Sequence, residues 1–227
     1  MTLKRTGCVL LALMLVFTAL TAAGEGSGKA NGIPLLVNRE HPLPDDHVPV
    51  ELVLLSEVIP EELCSYEHEG MLAEREAAEA WVTLLTAAHA DGLSEWRFSE
   101  AYRTGEEQQR LFDETVRSYI LQYGMTEAQA TEAALYLAAP AGASEHQTGL
   151  AFDMTVPGEY FGDTAQYLWM KRHCAEYGFI LRYTDEKEDI TGYMSEEWHY
   201  RYVGKEHALR MEELDMCLEE YILYLSD

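Results

Sequence analysis

The segment SEHQTGLAFD at residues 144–153 is the most informative for the fold of this chain. In it, an imidazole and a carboxylate flank a glycine-containing turn and the start of an apolar run. A second segment, EEWHYR at residues 196–201, carries another histidine after two glutamates. A catalytic zinc ion takes three protein ligands from histidine, aspartate or glutamate and keeps its fourth position for water. The side chains of His146, Asp153 and His199 supply such a set. We therefore expect one zinc ion per chain.

Glu196 lies three residues before the last of these ligands. A carboxylate at this distance can point into the same cavity, take a proton from the water that attacks a carbonyl, and pass it to the leaving amine. Taken singly, His146 and Asp153 would be a loop histidine and a strand-end carboxylate that cap backbone groups. Found together in their motifs, the four residues favour metal-assisted amide hydrolysis with Glu196 as the general base.

Apolar spacing along the chain predicts a mixture of helices and strands. Helical periodicity and helix-ending residues predict helices at 72–90, 106–123, 126–138, 164–177 and 205–225. Short apolar or alternating runs predict strands at 35–38, 96–102, 150–156, 179–183 and 198–203. Because helices and strands do not alternate regularly, we expect an α+β fold with a central, mainly antiparallel sheet flanked by helices.

The N-terminal residues have the layout of a secretory signal. Two basic residues precede an uncharged, largely apolar stretch at residues 6–24, whose last small residues suit cleavage. We therefore predict an export segment at residues 1–23, a flexible glycine-rich linker at 24–32 and a single folded domain at 33–227. The apolar stretch approaches the roughly 20 residues that span a bilayer, so a cleaved signal and a retained anchor both stay open.

The composition is strongly acidic, since 40 Asp and Glu residues against 16 Lys and Arg give a net charge of −24. Such a surface repels nucleic-acid phosphates and anionic lipid headgroups. We expect neither as a partner, and membrane contact only through the N-terminal segment. The hydrophobic fraction of 48% is ample for the core of one domain. Of the four cysteines, three would remain after cleavage of the export segment. Because that number is odd and the three are widely spaced, we expect no dense disulfide framework, and any single pairing stays open.

Four motifs together resemble a known enzyme family. They are SEAYRTGEEQ at 99–108, SEHQTGLAFDMT at 144–155, GFILRYTDEKEDITGYM at 178–194 and EEWHYRYVG at 196–204. In this order they look like the zinc D-alanyl-D-alanine carboxypeptidases of the VanY type, a group that also holds lysostaphin-type peptidases and hedgehog signalling domains. The likeness runs from about residue 35 to the C-terminus. It implies a hedgehog/DD-peptidase-like fold and an exported zinc metallopeptidase. Such an enzyme hydrolyses the peptide bond to the terminal D-Ala of peptidoglycan stem peptides. It uses a zinc-activated water and a glutamate base.

The resemblance also implies roles for individual side chains. Arg103 matches the arginine that hydrogen-bonds the developing oxyanion, a task suited to a planar, permanently charged guanidinium. Gln108 and Ser144 match positions that contact the substrate peptide. Trp198 either packs against the substrate or forms the floor of the metal site. Glu197 stands where the family usually has proline.

Three alternative functions share these motifs. An L,D-carboxypeptidase of the same family would trim tetrapeptide stems, and a D,D-dipeptidase would differ in the loops that close the pocket. A zinc-stabilised, non-catalytic cell-wall binding module would use the same fold for partner recognition. Glu196, at the position of the family's general base, argues against the module, because a structural metal site needs neither a base nor an open coordination position.

Overall fold

The computed structural model describes residues 29–30 and 32–226 of the chain. The export segment predicted at residues 1–23 lies outside the described residues, and so does most of the linker predicted at 24–32. The end of that linker forms strand β1 (Lys29–Ala30), which pairs antiparallel with strand β2 (Ile33–Pro34).

Further strands and helices follow along the described chain. The strands are β3 (Leu52–Leu54), β4 (Ser65–Tyr66), β5 (Leu72–Glu74), β6 (Arg97–Glu100), β7 (Ala151–Thr155), β8 (Phe179–Tyr183) and β9 (Glu196–Tyr202). The helices are α1 (Leu55–Val58), α2 (Arg75–Ala90), α3 (Gly105–Tyr123), α4 (Glu127–Leu137), α5 (Ala165–His173), α6 (Glu188–Thr191), α7 (Lys205–Leu214) and α8 (Leu218–Ser226). Short 3₁₀ turns, among them Glu145–Thr148 and Cys174–Tyr177, connect some of these elements.

A five-stranded sheet with the strand order β4-β6-β7-β9-β8 forms the centre of the domain. Strand β4 runs parallel to β6, and the other neighbouring pairs are antiparallel, which confirms the predicted α+β class. Strands β7 and β9 lie side by side, with Asp153 directly opposite His199. Directly opposed residues place their side chains on one face roughly 5 Å apart. The sheet register therefore brings two of the predicted ligands together.

The other face of the sheet carries the main hydrophobic core. Phe152 and Tyr200, the strand neighbours of the two ligands, are fully buried there because successive strand residues point to opposite faces. Helix α2 covers this face. Its Trp81 ring lies 5.2 Å from Phe98, 5.6 Å from Phe152 and 4.4 Å from Phe179, measured between ring centroids. The period-two pattern thus separates the core from the predicted site.

Helices α3 and α4 match the predicted helices at 106–123 and 126–138 to within one residue. Thr104 and Glu107 form a capping box at the start of α3, in which each side chain accepts a hydrogen bond from the backbone of the other. An equivalent box precedes α4. Helix α3 ends at Gly124, whose φ of 65° suits glycine. Local signals therefore determine both helices.

One predicted strand is wrong, and one predicted helix starts too early. Residues 35–38, predicted as an edge strand, are described and lie outside the strands. The Leu35 carbonyl instead accepts a hydrogen bond from the Arg201 side chain. The helix predicted at 72–90 begins only at Arg75, because the three residues before it form β5 and pair antiparallel with β3.

Two predicted helices are interrupted. The helix predicted at 164–177 is α5 followed by a 3₁₀ turn that begins at Cys174. Residues 205–225, predicted as one helix, form α7 and α8. Asp215 ends α7 in a left-handed conformation with a φ of 53°, which a short polar side chain tolerates.

In the part of the chain that the structure describes, no helix combines the length and the hydrophobicity needed to cross a bilayer. The three cysteines in this part, Cys64, Cys174 and Cys217, are buried and form no disulfide. Burial raises the pKa of Cys64 to about 11, that of Cys174 to about 12 and that of Cys217 to about 11. The thiols therefore stay protonated at neutral pH, and such cysteines are chemically inert.

Candidate active site

The three predicted ligands converge on the face of the sheet opposite the aromatic core. His146 lies on the 3₁₀ turn, Asp153 on β7 and His199 on β9. One ligand atom from each residue lies within 4.8 Å of the others. The histidines are 3% and 4% exposed, and the aspartate side chain is 17% exposed. This spacing suits a single divalent cation.

Gly149 makes the tight turn between the first two ligands. Its φ is 71°, in the left-handed region that favours glycine. A Cβ atom at this position would lie 3.0 Å from the Leu52 side chain and 3.1 Å from the backbone nitrogen of Glu74. The absence of a side chain therefore lets the turn pack closely against β3 and β5.

Each histidine ring is held by a hydrogen bond on the nitrogen that points away from the triad. Nδ1 of His146 lies 2.6 Å from the Ala101 carbonyl, which leaves Nε2 facing Asp153 at 3.5 Å. Nε2 of His199 lies 3.4 Å from the Glu145 carboxylate, which leaves Nδ1 facing Asp153 at 3.1 Å. Such bonds determine which ring nitrogen keeps a lone pair for a metal.

The carboxylate of Asp153 has the surroundings expected of a zinc ligand. Its Oδ1 atom is buried and has no hydrogen-bond partner among the described residues. Burial alone would raise the pKa of this carboxyl, but the imidazoles of His146 and His199 hold the pKa well below its usual value. A buried carboxylate oxygen that two ring nitrogens face, and that forms no hydrogen bond of good geometry in the described chain, suits a bound cation. Two imidazoles and one carboxylate are a ligand set of catalytic zinc sites, so the residues fit zinc.

Glu196 stands at the start of β9, beside the triad. Its Oε2 lies 3.6 Å from Nδ1 of His199. Burial raises the pKa of Glu196 to about 7, against the opposing effect of His199. A carboxyl group whose pKa lies near neutrality can both accept and release a proton at physiological pH.

Arg103 reaches the triad from the loop that precedes α3. Its Nη2 lies 4.0 Å from Oδ2 of Asp153, and its Nη1 donates to Oε1 of Gln108 at 2.7 Å. The Gln108 amide nitrogen in turn donates to the Ala139 carbonyl at 2.7 Å. Both ends of the Gln108 side chain are thus engaged inside the protein. In this structure Gln108 orients the Arg103 guanidinium.

Ser144 and Trp198, the other two predicted site residues, also border the triad. Ser144 Oγ accepts a hydrogen bond from the His146 backbone nitrogen at 3.3 Å and caps the 3₁₀ turn. Trp198 packs partly against the core and partly lines a cleft of about 200 Å³. The cleft contains every predicted site residue, namely Arg103, Gln108, Ser144, His146, Asp153, Glu196, Trp198 and His199.

The cleft also contains Tyr193, which the sequence analysis does not single out. Its side chain is 4% exposed, and its hydroxyl has no hydrogen-bond partner in the described part of the chain. The Arg39 guanidinium lies 5.3 Å from its ring centroid and donates to the Gly192 carbonyl at 3.1 Å. No local sequence pattern predicts that this tyrosine lies in the cleft, because the contacts that bury it come from distant parts of the chain.

Glu145 is a second residue that sequence reasoning misses. It is 1% exposed and contacts Arg182, Arg201 and His199. A sequence signal exists, since each arginine interrupts the apolar and aromatic residues of a predicted strand. Charged residues at such positions indicate a buried partner of opposite charge.

A triad that fits zinc, flanked by a buried carboxyl and an anchored guanidinium, is the arrangement of a zinc-dependent peptidase. The chain belongs to the VanY D-alanyl-D-alanine carboxypeptidase family, whose model matches residues 70–205, and it is a zinc-dependent hydrolase. It is 38% identical over 206 residues to a D-alanyl-D-alanine carboxypeptidase of Enterococcus faecalis, a match that covers 90% of this chain and 70% of that protein.

Solved structures show the same fold. VanYB in complex with D-alanine-D-alanine aligns with a TM-score of 0.71 at 37% identity, over 82% of this chain and 95% of that one. A Glu-to-Ala variant of VanY from the VanB-type cassette, in complex with Zn(II), gives 0.70 at 38% identity, over 82% and 97%. The LdcB LD-carboxypeptidase gives 0.68 at 35% identity, over 86% and 91%. The fold and zinc predictions are thereby confirmed.

We expect zinc to stabilise the folded protein. At about 1,000 times its dissociation constant, a ligand that binds only the folded state adds about 4 kcal/mol to the free energy of unfolding. For a domain of this size that corresponds to a rise in Tm of roughly 10 °C. Differential scanning calorimetry of chelator-treated protein, with and without zinc, measures the shift.

The matched control for this measurement is a pair of Asp-to-Asn variants. Asp153→Asn should lose the zinc-dependent rise in Tm, and Asp163→Asn, an exposed aspartate outside the cleft, should keep it. Magnesium should give little shift, because it prefers six oxygen ligands. An equal zinc response from both variants would place the metal elsewhere.

Proposed function

We propose that this protein is an exported D-alanyl-D-alanine carboxypeptidase that removes the terminal D-Ala from peptidoglycan stem peptides. The observation that carries the proposal is the convergence of the triad, Glu196 and Arg103 in one cleft of a VanY-family chain. The complex of VanYB with D-alanine-D-alanine supports the substrate class.

In this proposal the metal is held by Nε2 of His146, Nδ1 of His199 and the carboxylate of Asp153. These are the ring nitrogens that the hydrogen bonds to Ala101 and Glu145 leave available. When bound, zinc supplies a Lewis acid and lowers the pKa of a coordinated water to about 7. The single aspartate partly neutralises the ion, while neutral imidazoles preserve its acidity.

Glu196 is the proposed general base. Its carboxylate accepts the proton of the attacking water and then returns that proton to the nitrogen of the leaving D-alanine. Its position supports this role, since Oε2 lies 3.6 Å from a proposed ligand and the side chain is only 15% exposed. Burial also excludes bulk water, which would otherwise compete for the proton.

Arg103 is the proposed donor to the oxyanion that develops on the scissile carbonyl. Its bond to Gln108 holds the guanidinium plane in one orientation before the substrate arrives. A donor that is already oriented stabilises developing charge without the cost of reorganisation. Gln108 therefore acts on the reaction through Arg103 in this proposal.

Tyr193 and Ser144 are proposed to contact the substrate, with Trp198 as an apolar wall of the cleft. Burial raises the pKa of Tyr193 to about 12, so its hydroxyl stays protonated and can donate. A buried hydroxyl without a partner is costly unless a ligand satisfies it. An amide or terminal carboxylate oxygen of the peptide is a suitable acceptor.

Export is proposed from the N-terminal sequence. Residues 1–23 would serve as a signal peptide or membrane anchor, 24–32 as a linker and 33–227 as the catalytic domain. The family's substrate supports this arrangement, because cell-wall peptides are reached outside the cytoplasm. The acidic surface supports a protein that does not bind nucleic acid.

Product analysis tests the proposed function directly. The protein would be incubated with stem pentapeptide ending in D-Ala-D-Ala, with stem tetrapeptide, and with free dipeptide, and the products identified by mass spectrometry. Release of one D-Ala from the pentapeptide is expected. Trimming of the tetrapeptide alone would favour an L,D-carboxypeptidase, the activity named for LdcB. Cleavage of the free dipeptide alone would favour a D,D-dipeptidase, and no hydrolysis by zinc-loaded protein would favour a binding module.

We expect Glu196→Gln to lower kcat for the pentapeptide by about 10² to 10⁴, the usual contribution of a general base. The variant should retain zinc, because Glu196 is not a ligand in this proposal. Glu197→Gln is the matched control, because it removes the same charge from a neighbouring side chain. That side chain lies outside the cleft and accepts a hydrogen bond from the Tyr160 hydroxyl. Unchanged kcat in the Glu196 variant would refute the assigned base.

We expect Tyr193→Phe to lower kcat/KM about tenfold, the value of one hydrogen bond of about 1.4 kcal/mol. The free energy of unfolding should stay constant or rise, because the variant removes a buried hydroxyl that has no partner in the described chain. Tyr136→Phe makes the same chemical change outside the cleft and should leave kcat/KM unaltered. Steady-state kinetics and chemical denaturation provide the two measurements, and a Tyr193 variant with normal kcat/KM would contradict the contact.

A further inference from the structure

A buried cluster of four charged side chains, which we call the arginine cluster, lies beside the triad. It consists of Glu145, Arg182, Arg201 and Glu219. Glu145 Oε1 lies 2.8 Å from Arg182 Nε and 3.2 Å from Arg201 Nη1. Arg182 also donates to both carboxylate oxygens of Glu219, at 2.9 and 2.6 Å. Two positive and two negative groups make the cluster neutral, which offsets the cost of burying charge.

Each arginine is also anchored to a distant part of the chain. Arg201 Nη2 donates to the Leu35 carbonyl at 2.9 Å. Glu219, the partner of Arg182, lies on α8 and accepts a hydrogen bond from Asn38 at 3.1 Å. The guanidinium groups cannot turn without breaking these bonds. The Glu145 carboxylate is therefore held in one orientation.

The second carboxylate oxygen of Glu145 points away from the two arginines and toward His199. Oε2 lies 3.4 Å from Nε2 of His199, and Nδ1 of the same ring faces Asp153. We propose that Glu145 is a positioning residue, which accepts a hydrogen bond from Nε2 of His199 and so directs the Nδ1 lone pair at the zinc ion. This inference rests on the proposed zinc site and deepens it, because Glu145 itself is not a ligand.

The two histidines of the triad are supported in different ways. Nδ1 of His146 meets a neutral carbonyl, that of Ala101, whereas Nε2 of His199 meets an ionised carboxylate. A carboxylate acceptor raises the basicity of the ring more, and loss of such a partner typically weakens metal binding 10–100-fold. Glu145 also directly precedes His146, so one 3₁₀ turn carries a ligand and the support of another ligand.

Zinc affinity in two matched variants tests the role. Glu145→Gln and Glu219→Gln each remove one carboxylate from Arg182, but only Glu145 contacts His199. We expect Glu145→Gln to raise the zinc Kd about 10–100-fold and Glu219→Gln to change it less than about threefold. Competition with a chromophoric chelator measures Kd. The d–d spectrum of the Co(II)-substituted proteins should shift only in the Glu145 variant.

A double variant keeps the test decisive should Glu145→Gln fail to fold. Glu145→Gln combined with Arg201→Gln removes one negative and one positive charge, which leaves the Arg182 and Glu219 pair balanced. We expect this variant to fold and still to show the raised zinc Kd. Arg201→Gln alone keeps the Glu145 carboxylate and its bond to Arg182, so its zinc Kd should rise less than that of the double variant.

The outcomes separate this inference from the proposed function. Equal zinc affinities in the Glu145 and Glu219 variants, or a wild-type Kd in the double variant, would overturn the positioning role while leaving the zinc peptidase intact. Wild-type protein that binds no zinc and hydrolyses no peptide would count against the proposed function itself. A raised Kd with an altered Co(II) spectrum, confined to variants that lack the Glu145 carboxylate, supports the inference.

Discussion

The antiparallel pairing of β7 with β9 sets the geometry of the whole site. It sets Asp153 opposite His199 on one face of the sheet. A register slip of one residue would turn every side chain of a strand to the other face. The register that buries the aromatic core is therefore the same register that brings the proposed ligands together. His146 then needs only the short turn at Gly149 to complete the triad.

The two faces of the sheet solve opposite problems. Aromatic side chains around Trp81 bury one face with few polar atoms, and dispersion and the hydrophobic effect are sufficient there. The other face buries ionised groups, which is costly unless each charge has a partner. Paired arginines and carboxylates supply those partners around Glu145, and ring nitrogens of His146 and His199 face the buried oxygen of Asp153. Stability and chemistry are thus separated by the alternation of strand residues.

The cleft collects side chains from elements that are far apart in sequence. Arg103 precedes α3, Tyr193 follows α6, and Glu196 begins β9. Glu197, next to the proposed base, accepts a hydrogen bond from the Tyr160 hydroxyl and packs close to Gly162. These contacts connect the start of β9 to the segment around Gly162.

The types and order of the proposed ligands and base, and the starts of α3 and α4, are readable from the sequence, because motifs and capping boxes consist of neighbouring residues. The formation of β5 by residues 72–74 is not readable in this way, because the paired strand β3 lies about 20 residues away in the chain. The burial of Glu145 and Tyr193 likewise depends on distant residues, Arg182 and Arg39. Local patterns report propensity, whereas strand pairing and buried ion pairs join residues that become neighbours only when the chain folds.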